Sequence, residues 1–136
     1  MTLAVHEWGA HGDVPLILWR ADGEPASREL ARRLVAAGFR VVDVTEEAGE
    51  EAARAAERLD DLLDDRELDR PVLAGWARGS AVAVAYALAH PDDVRAVVLI
   101  DGTADPLVEA PTLLTTAHDD AALADDIAGW LVDQGL

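Results

Sequence analysis

The sequence contains no cysteine, no lysine and no asparagine. Without cysteine, disulfides, thiolate metal sites and cysteine nucleophiles are excluded together. All 11 basic residues are arginine, against 27 aspartates plus glutamates, so the formal charge, 11 − 27, is −16. A field of that sign repels phosphate, which excludes generic binding to the nucleic-acid backbone or to an anionic membrane face. Long apolar runs are missing too. The longest, Ala81 to Ala89, has nine residues, against the roughly 18 needed to cross a bilayer. Met1 to His6 shows no basic region followed by an apolar one, so no signal peptide is expected and a cytoplasmic protein is. What the chain does have is core-forming residues. Apolar side chains make up 51% of its 136 residues, too many for disorder, and the length suits a single domain, 1–136.

Hydrophobic periodicity alternates along the chain. Val14-Pro-Leu-Ile-Leu-Trp19, Phe39-Arg-Val-Val-Asp-Val44, Pro71-Val-Leu-Ala-Gly-Trp76 and Val94 to Ile100 are short, nearly continuous apolar runs, as strands buried on both faces should be. Pro111 to Ala117 reads as a further strand, and Leu3 to Trp8 as an exposed opening one. Between them lie helical patterns at Ala26–Ala37, closed by Gly38, at Glu50–Leu68, and at Ser80–Ala89, which has almost no polar face. A last helix spans Ala121–Gln134, with Asp119 and Asp120 as candidate caps. This order predicts an α/β fold: a three-layer open sheet of about five or six mostly parallel strands with helices on both faces. Ligands bind such sheets outside the carboxyl ends of the strands, so those ends hold the candidate site residues.

The run from Val72 to Asp101 resembles the nucleophile elbow, following helix and next strand of the α/β-hydrolase family. It carries the frame Gly75-Trp76-Ala77-Arg78-Gly79, a helix ending in His90-Pro91, and Val94-Arg95 opening the next strand. Pro111-Thr-Leu-Leu-Thr-Thr-Ala-His-Asp-Asp120 is similar to the later strand whose end bears the family's acid. The resemblance covers most of residues 3–120 and implies a minimal, lidless α/β-hydrolase core. It also implies a site whose chemistry is incomplete. The elbow position is Ala77, and a methyl group cannot attack a carbonyl. Trp19-Arg20 stands where the family often has His-Gly in its oxyanion hole. The eighth strand with its catalytic His, and the usual lid, have no counterpart; Asp120 alone matches in type.

The strand ends therefore suggest a non-hydrolytic small-molecule-binding protein. Arg20 and Arg78, with Trp19, Trp76 and Ser80 nearby, would suit an anionic or planar ligand. Each Arg has a plainer reading as the partner of an acid such as Asp22, Asp101 or Asp105, and Ser80 as a hydroxyl satisfying a backbone group. The same strand ends would also suit acid–base catalysis of the lyase or cyclase type by Asp120, His118, Asp22 or Asp101. A dimeric interaction module, or a hydrolase whose nucleophile has been replaced by Ala77, would fit the sequence as well. His118 beside Asp119 and Asp120 lacks the three or four converging ligands of a zinc site, so no metal or cofactor is expected. An open sheet edge near Thr112 to Thr116 suggests a homodimer.

Overall fold

A computed structural model of the protein describes residues 3–10, 13–20, 28–46, 51–116 and 119–135. The apolar runs form strands β1 (Leu3–Trp8), β2 (Val14–Arg20), β3 (Phe39–Glu46), β4 (Val72–Trp76), β5 (Ala96–Ile100) and β6 (Thr112–Thr115). Among the described residues they build one sheet in the order β1-β3-β2-β4-β5-β6. Only β1 runs antiparallel, against β3; the other pairings are parallel. Helices α1 (Arg28–Ala36), α2 (Ala52–Asp65), α3 (Gly79–Ala89) and α4 (Asp120–Asp133) complete the alternation.

The period of two along each strand divides the core. Ile17, Trp19, Val42, Val44, Leu73, Val97 and Leu99 pack on Ala55, Leu59 and Leu63 of α2 and on Val82 and Tyr86 of α3. Leu16, Leu18, Val41, Ala74, Val98 and Ile100 pack on Leu30 and Leu34 of α1 and on Leu123, Ile127 and Leu131 of α4. Both faces are covered, which is why the central strands read as unbroken apolar runs. Tyr86, buried against α2, donates a hydrogen bond to Asp60 at 3.3 Å. Burial, reinforced by that carboxylate, pushes its phenol above the usual value.

Two helix ends show how local chemistry sets the boundaries. Gly38, at φ +102°, closes α1 as expected, its N–H reaching Val35 O at 3.0 Å. The helix expected to run to Leu68 stops at Asp65 instead. Glu67 adopts φ +54°, and Leu68 N–H reaches back to Leu63 O at 2.9 Å. That is a Schellman closure built without glycine, so composition gave no sign of it. At the start of α4, Asp119 caps Ala122 N–H at 2.9 Å. Within the strand expected over Pro111–Ala117, β6 spans Thr112–Thr115, and Ala117 lies outside the described residues. Glu50, where α2 was expected to begin, lies outside the described residues. Among the described residues no helix is long and apolar enough to cross a membrane.

Candidate functional site

Strand β4 ends at Trp76, and the chain turns within two residues into α3. Ala77 makes the turn at φ +51°, a left-handed conformation an L-residue rarely takes. Its N–H donates to Ile100 O of β5 at 2.7 Å, and its carbonyl accepts from Ser80 N–H at 3.1 Å. The two glycines of the frame explain why so tight a turn closes. A Cβ on Gly75 would lie 2.6 Å from Gly79 O and Ser80 Cα, and a Cβ on Gly79 would run into the Trp19 carbonyl oxygen. The crossing of β4, α3 and the end of β2 thus forces the strain on Ala77. A left-handed L-residue costs about 1–2 kcal/mol, and glycine returns part of that through a more flexible unfolded chain. Ala77→Gly is therefore expected to raise stability slightly, by up to about 1 kcal/mol, read from urea midpoints. A clear loss would mean that the turn is not strained.

Ala77 faces a groove of about 680 Å³ between α3 and the segment after β5. One wall is apolar, from Ala81, Val84, Ala85 and Leu88; the other carries Asp101 and Asp105, and Arg78 stands at the rim. Asp101, at φ +54°, is a second left-handed residue and donates its N–H to Thr115 O at 2.9 Å. Ser80 also lines the groove, but its hydroxyl is committed. It donates to Gly75 O at 3.1 Å and lies so close to Gly102 that a Cβ there would overlap it. As expected for Ser80, the hydroxyl satisfies a backbone carbonyl.

Arg20, by contrast, does not reach this groove, and the expected pairing of Arg20 with Arg78 around one ligand is not formed. Trp19 is 1% exposed, inside the core beneath α2 and α3. It is packing, because β2 turns alternate residues to opposite faces and position 19 falls on a covered one. Arg20, one residue on, belongs to the α1/α4 face and is 3% exposed. Its guanidinium lies 4.5 Å from the Trp76 ring centroid, and its Nε is 3.6 Å from Asp43 Oδ1. Trp76 packs on the same face. Asp43 is 1% exposed, and neither carboxylate oxygen has a hydrogen-bond partner among the described residues. Burial raises its pKa, against the pull of Arg20 and of His6, which faces it across β1 and β3.

The structure thus brings Ala77, Arg78, Ser80 and Asp101 to one groove, buries Trp19 in the core under α2 and α3, and places Arg20 and Trp76 on the opposite face of the sheet. Asp120 begins α4 and is not among the groove-lining residues. Asp22 and His118 lie outside the described residues. Asp43 was not expected to matter, although a carboxylate inside the apolar run Phe39–Val44 is a signal that a buried cation should be sought. Among the described residues, no three His, Asp or Glu side chains converge as metal ligands.

A mostly parallel sheet whose fourth strand ends in a glycine-framed, left-handed turn into a buried helix has the α/β-hydrolase fold, and comparison with solved structures agrees. The chain is similar to epoxide hydrolase A from Mycobacterium thermoresistibile, at 29% identity and a TM-score of 0.61, over 72% of this chain and 35% of that one. It is similar to a carboxylesterase of the thaumarchaeon Nitrososphaera gargenis, at 22% identity and a TM-score of 0.63, over 74% of this chain and 42% of that one. A monoacylglycerol lipase of Paleococcus ferrophilus aligns at 23% identity and a TM-score of 0.63, over 73% and 42%. The chain thus spans well under half the length of these enzymes. No protein-family model matches the sequence, and no curated protein does.

Proposed function

We propose that this protein uses an α/β-hydrolase-like scaffold to bind a small molecule at the carboxyl ends of its strands without hydrolysing it. The observation that carries the reading is Ala77. The turn that raises a nucleophile above the sheet is intact, φ +51° included, and the residue it raises has no atom able to attack. Neighbouring positions support this. Ser80, three residues beyond Ala77, has its hydroxyl held by the Gly75 carbonyl. Arg20, where the family often has glycine, is buried beside Asp43. The groove itself remains open, with an apolar wall suited to a hydrocarbon or ring and with Arg78, Asp101 and Asp105 to orient one polar end.

The test is to install the missing atom. Ala77→Ser, assayed with 4-nitrophenyl acetate, is expected to show no turnover above the uncatalysed rate, because among the described residues no histidine lines the groove to act as its general base, and a serine without one is a weak nucleophile. Brisk hydrolysis by that variant would overturn the reading and identify a hydrolase whose nucleophile had been replaced.

A further inference from the structure

At the opposite edge of the sheet, β1 and α1 enclose a second concavity of about 580 Å³, lined by His6, Glu7, Trp8, Arg28 and Arg32. Arg28 and Arg32 are one helical turn apart and project from the same side of α1. Both are exposed, and neither makes an ion pair among the described residues. Among the described residues, the acids beside them are already engaged. Glu7 binds Arg40 at 2.7 Å and Arg66 at 2.8 Å, while Glu29 binds Arg33 at 2.8 Å. In a chain of net charge −16, two adjacent cations with no carboxylate partner among those residues are unexpected. Like charges at this spacing weaken a helix, and an anion between them would relieve that cost.

Facing them, His6 and Trp8 share one side of β1, two residues apart, as strand alternation requires. Their ring centroids lie 6.0 Å apart with planes tilted by 36°. Trp8 is half-buried, held by the α1/α4 core, so its ring is a fixed platform. We propose that His6, Trp8, Arg28 and Arg32 form a binding site for an aryl phosphate. The two guanidiniums take the dianion through paired N–H donors, and the aromatic pair takes the ring. A carboxylate alone would leave one guanidinium unmatched, and a phosphate alone would leave the rings idle. The protein's overall field opposes any anion, so the attraction is short-ranged and local.

Phenyl phosphate and inorganic phosphate, titrated into the full chain at pH 7.5 by calorimetry, test this. Phenyl phosphate is expected to bind with a dissociation constant below about 1 mM, and inorganic phosphate at least fivefold more weakly. Arg28→Gln with Arg32→Gln should weaken phenyl phosphate at least tenfold. Arg54→Gln with Arg70→Gln, which removes the same charge from two exposed arginines elsewhere, should leave it within twofold. All four side chains are exposed, so neither variant should lower the unfolding midpoint. No binding of phenyl phosphate, equal weakening in both double variants, or phosphate binding as tightly as phenyl phosphate would each overturn the site.

Discussion

Replacing Arg20 with methionine is expected to destabilise the protein by about 3–5 kcal/mol at pH 7.5, because it strips the nearby cation from a carboxylate that is 1% exposed. That is a large share of a domain's total stability, typically about 5–15 kcal/mol. Adding Asp43→Leu should recover most of the loss, since two apolar side chains of similar volume can replace a buried pair at little cost. The effect has a definite pH dependence. Burial already lifts the pKa of Asp43, and losing Arg20 lifts it further. A carboxyl whose folded-state pKa is raised favours folding below its unfolded pKa and loses that contribution as pH rises through the folded value. The cost of Arg20→Met should therefore be small near pH 4 and grow toward neutrality. Urea midpoints at pH 4, 6 and 7.5 measure it. A cost below about 1 kcal/mol that does not change with pH would mean that Asp43 is not held by Arg20.

Gly79→Ala is the second large effect. The added methyl would occupy the position of the Trp19 backbone oxygen, an atom of a central strand that cannot swing aside as a side chain can. The β2–β4 pairing or the start of α3 must shift, and a loss of about 3 kcal/mol or more is expected. Gly129→Ala is the control within the same fold. It lies on the exposed side of α4 with nothing within 4 Å of an added Cβ. There the substitution should stabilise by about 0.5–1 kcal/mol through helix propensity. If both glycines tolerate alanine equally, the close crossing at the elbow is not what shapes the turn. Thermal and urea unfolding of the two variants decide it.

The layering of the fold was legible because burial on both faces leaves a simple trace: four central strands without polar alternation, separated by helices with one apolar side. The elbow was legible for a similar reason. Two glycines four residues apart, between a strand and a helix, mark a close backbone crossing. The roles at the strand ends were harder to read. Arg20 and Trp19 are neighbours in sequence, yet strand alternation sends them to opposite faces, and neither lines the groove. Arg20 comes to lie beside Asp43 because β2 and β3 run in register, with Leu18 opposite Asp43. That register is settled by side-chain packing across the sheet and not by any local motif. The groove wall, Val84 and Leu88 of α3 facing Asp101 and Asp105, likewise depends on where the segment after β5 returns. The early end of α2 was hidden for a different reason: a glutamate takes the left-handed position that glycine usually signals.

The turn at Ala77 owes its shape to its surroundings. The Gly75 and Gly79 contacts, the hydrogen bond to Ile100 and the start of α3 hold residue 77 outward although its side chain has no chemistry to perform. Presentation has thus become separable from reactivity. Position 77 is a pedestal, and a fold that keeps it offers a platform on which a reactive handle or a spectroscopic reporter could be mounted at a known height above the sheet.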